Sequence, residues 1–85
     1  MGLPLRIKGV EEIESIAKEF KKRELARNGK VLVDFKIAST DLKIILGART
    51  YEVVCEYRTF TLGEWKRQII NIRATDGTVI SHRDL

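Results

Sequence analysis

Chemistry at a single site needs a nucleophile, an acid–base group or a set of ligands, and this sequence offers few residues of those types. Its one cysteine, Cys55, shares the face of an alternating stretch with Val53 and Tyr57. A thiol there behaves as a small hydrophobe, and a reactive thiolate would need an exposed, cationic neighbourhood instead. Its one histidine, His82, is a lone one near the C-terminus, whereas general bases and zinc sites need partner Cys, His or oriented carboxylates. His82 is therefore expected on the surface. Glu52 and Glu56 fall on one strand face, about 13 Å apart along an extended chain. That separation exceeds the spacing of a glycosidase carboxylate pair. Cross-strand ion pairs with Lys43, Arg67 or Arg73 are the expected use of these carboxylates. The glycines at 29, 47, 63 and 77 are scattered one per turn, and no phosphate-cradling loop is present.

One short match to a catalytic motif occurs. His82-Arg83-Asp84-Leu85 reproduces the catalytic-loop tetrapeptide of protein kinases, but no glycine-rich loop, strand lysine or metal-holding Asn accompanies it. The match is read as chance. No catalytic residue, no metal site and no cofactor is expected, and the chain is not read as an enzyme.

Charge is the next source of function. Sixteen Lys and Arg stand against twelve Asp and Glu, a net charge of +4. The excess concentrates in the first 30 residues, with eight basic and five acidic side chains. Lys18, Lys21, Lys22, Arg23 and Arg27 make a basic helix end that could contact phosphates. The same charges also complement a helix dipole, and Glu19 and Glu24 dilute them. Trp65, followed by Lys66 and Arg67, is the best candidate for stacking on a base. The favoured expectation for Trp65, however, is that it caps one end of the hydrophobic core.

The elements that would position these residues are legible from periodicity. Val10, Ile13, Ile16, Ala17 and Phe20 share one helical face, which predicts a helix over 10–28. Asn28-Gly29 supplies its stop, since both residues tolerate the left-handed conformation. Beyond it the period changes to two. Residues 30–37, 41–46, 50–60, 66–75 and 78–82 read as strands, with a turn at 38–40. Residues 39–46 also fit a short capped helix. Asp76-Gly77 is the strongest hairpin signal. Residues 3–8 could form an edge strand that tolerates Pro4. The fold class is α+β: one amphipathic helix on an antiparallel meander of four or five strands. A helix followed by a small closed barrel of the Sm or SH3 kind is the alternative.

At 85 residues, with 44% hydrophobic and 33% charged residues, the chain reads as a single globular domain, 1–85. No secretory signal and no membrane span is expected, and an unpaired cysteine fits a reducing compartment, so a cytoplasmic location is expected. Leu32, Ile45, Val54 and Ile69 fall opposite the presumed core, where an open sheet should be polar. Coverage by a homodimer, a partner protein or the segment around Leu3, Leu5 and Ile7 would explain them. The leading expectation is a non-catalytic binding or adaptor domain that self-associates through this outer sheet face. The alternative is a nucleic-acid-binding module. An enzyme subunit completed by a partner has no residue in its favour.

Overall fold

A computed structural model describes residues 7–85. The edge strand expected at 3–8, and the cover expected from Leu3 and Leu5, lie outside the described residues save for Ile7 and Lys8. One helix, α1 (Val10–Arg27), precedes four strands: β1 (Asp34–Ile45), β2 (Ala48–Arg58), β3 (Lys66–Arg73) and β4 (Val79–Asp84). The strands form an open antiparallel sheet in the order β1-β2-β3-β4, with α1 packed on one face. The α+β helix-on-meander expectation holds, and the sheet does not close into a barrel.

The helix ends as its sequence dictates. Gly29 takes a φ of 70°, the Lys30 amide donates to the Leu25 carbonyl, and the Gly29 amide donates to the Ala26 carbonyl. These two bonds satisfy carbonyls that the helix end would otherwise leave unpaired. The buried stripe is Ile13, Ala17, Lys21 and Leu25, at strict i,i+4 spacing, with Ile16 and Phe20 half-buried beside it. The stripe packs on Tyr51, Val53 and Cys55 of β2 and Ile70 and Ile72 of β3. On these two central strands the period-two reading gives the right faces, although the strands end at Arg58 and Arg73 rather than at 60 and 75, and Ile69, on the face away from the helix, is itself buried.

The edge strands depart from it. The two short strands expected at 30–37 and 41–46 are one twelve-residue strand, and residues 30–33 precede it. Ala38, expected in a turn, is an extra residue in the ladder: Ile37 opposes Cys55 and Ser39 opposes Val54. A bulge of this kind flips the alternation. Phe35, Ile37, Thr40, Leu42 and Ile44 consequently all face the helix side. The two-residue turn with positive φ is Leu46-Gly47, at 50° and 79°, closing the Ile45–Ala48 pair. That geometry matches the twist of a hairpin, and it places a fully exposed leucine in a region that normally favours Gly or Asn. At Asp76-Gly77 only the glycine has positive φ, and the connection is a longer loop closed by the Gly77 amide donating to the Arg73 carbonyl.

Candidate functional site

The helix packs mainly on β1, β2 and β3 and reaches the helix-side face of β4 only at His82, through Phe20 and Glu24. Between α1 and β4 lies a groove of 490 Å³ with Ile16, Phe20 and Val79 as its apolar lining and Arg23, Arg27 and His82 among its polar ones. One end is closed by Gly77, where a methyl group in place of the α-hydrogen would stand 2.7 Å from Ile16 Cδ1. Val79 and His82 are three residues apart, so plain alternation would put them on opposite faces of β4. A second irregularity corrects this. Ser81 opposes Asn71 while Val79 opposes Ile72, which leaves Ile80 as the extra residue. Val79 and His82 are thereby both turned toward the helix.

His82 is exposed, as expected, yet anchored on three sides. Its ring meets Phe20 edge-on at 5.0 Å between centroids. Its Nδ1 lies 3.3 Å from Glu24 Oε2 and 3.4 Å from Gln68 Nε2, so that it either donates to the carboxylate or accepts from the amide, not both. Among the described residues Glu24 Oε2 has no other donor. Gln68 Nε2 donates to Asp84 Oδ1 at 3.2 Å, and among the described residues its buried Oε1 accepts nothing. Glu24 accepts from Lys21 Nζ at 2.8 Å through its other oxygen. The chain of polar groups therefore runs from the helix interior to the groove surface.

Lys21 corrects the expected basic helix end. It is fully buried, and its ammonium sits 4.4 Å from the centre of the Tyr57 ring. The i,i+4 stripe carries it inward, and pairing with Glu24 and Tyr57 makes a buried cation tolerable. Lys18, Lys22, Arg23 and Arg27 are exposed, with Arg23 3.5 Å from Glu19. Trp65 does not cap the core. It is 39% exposed, with Lys36 Nζ 4.4 Å and the Arg58 guanidinium 4.9 Å from its ring centre. Both cations belong to the sheet face away from the helix. Lys66 instead turns to the helix side, where it shares a second cleft with Lys30 and Arg83. Lys30, just after the helix, and Lys66 thus line one cleft, although they lie far apart in the chain.

Of the four apolar positions expected on the outer face, the structure brings two together: Val54 and Ile69 are cross-strand partners. Leu32 precedes β1, and Ile45 sits at the hairpin end. Ion pairs flank the Val54–Ile69 pair. Lys43 reaches Glu52 at 2.8 Å, as the sequence suggests, and this hydrogen bond and charge raise the Lys43 ammonium above its usual range. Glu56 takes Lys36, at 3.9 Å, rather than Arg67.

Cys55 is buried under the helix. Burial above all pushes its thiol up to about 11 from an ordinary 9.0, with nearby Lys21 acting in the opposite sense. Native Cys55 is expected to resist iodoacetamide at about pH 8 and to react once guanidinium unfolds the chain, as read by mass spectrometry. Rapid native labelling would show that the strand opens. The folded thiol holds its proton more tightly than the unfolded one. Its contribution to stability is therefore complete below about pH 9 and is lost as pH rises toward about 11.

Among the described residues no three His, Cys, Asp or Glu side chains are grouped to hold a metal ion, and no helix is long and apolar enough to cross a membrane. The chain matches no protein-family model, no curated protein and no solved structure.

Proposed function

We propose that this protein is a non-catalytic binding domain that takes an extended segment of a partner protein into the groove between α1 and β4. One observation carries the reading: among the described residues β4 is a sheet edge paired on one side only, lying directly beside an apolar-lined groove. An edge strand presents a row of unpaired backbone donors and acceptors, and an added strand satisfies them whatever its sequence. Selectivity then comes from alternate side chains, which point into the groove. Ile16, Phe20 and Val79 favour apolar ones. Arg27, which forms no ion pair among the described residues, favours a carboxylate at the helix-terminal end.

The test is selection from a displayed library of random decapeptides, followed by amide NMR mapping of the winning peptide. Shifts are expected along 79–84 and at Phe20, with affinity falling about tenfold or more in Phe20→Ala and Arg27→Glu. Failure to enrich any peptide, or shifts confined elsewhere, would overturn the reading. A second reading, single-stranded nucleic acid, draws on Lys30, Lys66 and Arg83, which line one cleft together with Glu24 and Asp84. It requires salt-sensitive shifts at these residues on adding a mixed oligonucleotide.

A further inference from the structure

The other edge of the sheet is built differently. β1 is twice the length of β4, contains no proline, and among the described residues is likewise paired on one side only. Its distal half reaches past the helix, so that Leu42 is 48% and Ile44 68% exposed on the helix-side face. Its proximal half carries the complement. Phe35 and Ile37, on that same face, line a cleft of 280 Å³ between β1 and α1, walled by Glu14 and Lys18. Exposed apolar side chains and an apolar-lined cleft thus occupy opposite halves of one face of one edge strand. A two-fold axis through the middle of the strand would set each into the other.

We propose that a second copy of this chain docks on β1, pairing β1 antiparallel with the partner's β1 about a two-fold axis between Ala38 and Ser39 and joining the two sheets into one. The bulge sets the parity of that register. Because Ala38 flips the alternation, an axis at this point keeps helix-side residues opposite helix-side residues on both sides of it. A slip by one residue sets apolar side chains against charged ones. In this register Leu42 stands across from the partner's Phe35 and Ile44 across from the partner's Val33, itself 43% exposed.

The charges select the same register. On the face away from the helix, Asp34 meets the partner's Lys43 and Lys36 meets the partner's Asp41. Sliding the strands by two residues sets Lys36 against the partner's Lys43 in one direction and Asp34 against the partner's Asp41 in the other. Like charges directly opposite across a ladder are destabilising. An unrelated partner would have no reason to match a pattern that is complementary to itself, and isologous pairing is the interface such a pattern makes.

The test uses charge-swapped chains and analytical ultracentrifugation over a concentration series. The unaltered chain is expected to move from its 9.8 kDa mass toward twice that value. An all-acidic edge (Lys36→Asp with Lys43→Asp) and an all-basic edge (Asp34→Lys with Asp41→Lys) should each weaken self-association by about tenfold or more. Mixing the two should restore a dimer containing one of each. Ile44→Lys, at a position exposed in the single chain, is a variant that leaves the monomer ion pairs intact and should also abolish the dimer. A chain that stays monomeric at millimolar concentration, or swapped chains that fail to pair with one another while circular dichroism shows them folded, would overturn the proposal. Neither result bears on the β4 groove, which lies at the opposite edge.

Discussion

Replacing Ile70 by alanine is expected to destabilise the protein by about 3–4 kcal/mol. Ile70 is wholly inaccessible to solvent, lies mid-strand in β3, and is flanked across the ladder by Val53 and His82. It belongs to the cluster that receives Ile13 and Ala17 from the helix. Truncation removes apolar atoms from contact with two layers at once, and neither layer can collapse without moving the helix. A domain of this length has a total stability of about 4–13 kcal/mol, so the loss is a large fraction of the whole. Urea unfolding followed by circular dichroism measures it as a fall in midpoint at constant slope. Val31→Ala, at a position 72% exposed, should change stability by less than about 0.5 kcal/mol and serves as the control. Similar losses at the two sites would mean that α1 does not pack on β3.

The second large effect concerns the buried cation. Glu24→Ala is expected to cost about 3 kcal/mol, because it leaves the Lys21 ammonium buried with only the Tyr57 ring as a partner. Lys21→Met should cost about 1 kcal/mol or less. Methionine fills the same space against Tyr57 without a charge, and Glu24 is partly exposed and keeps contact with water. The informative quantity is the order of the two losses in the same urea experiment. A larger loss for Lys21→Met would show that the cation is worth more than the hydrophobe that could replace it. The double variant should fall close to Lys21→Met alone, since the stranded charge is then absent.

The helix, its stop and the two central strands are legible in the sequence because each rests on a repeating local rule. Tyr51, Val53, Cys55 and Tyr57 alternate without interruption, and Asn28-Gly29 serves its usual role. The edge strands are less legible, because each contains one residue that breaks the rule. Nothing in Ile37-Ala38-Ser39 distinguishes a bulge from a turn, and Ser39-Thr40 imitates a helix cap. Ile80 likewise hides the fact that Val79 and His82 share a face, and with it the groove that they line. Lys21 is a different case. The spacing from Ile13 and Ala17 points it inward, whereas its residue type argues for the surface. Spacing is the better guide here, because a carboxylate and an aromatic ring stand ready at the buried position.

The strand order has a consequence for how the chain reaches this structure. Every ladder joins consecutive strands, so each hairpin can close at small entropic cost before any distant part of the chain arrives. Among the described residues the longest separations belong to the docking of α1 and to Lys8, whose amide donates to the Ala74 carbonyl and whose carbonyl accepts from the Tyr51 hydroxyl. Pairing of consecutive strands favours folding on a scale of about milliseconds, as for mixed two-state domains. Residues of β2 and β3 should be structured in the transition state, while the helix contacts that bury Lys21 form on the native side of the barrier.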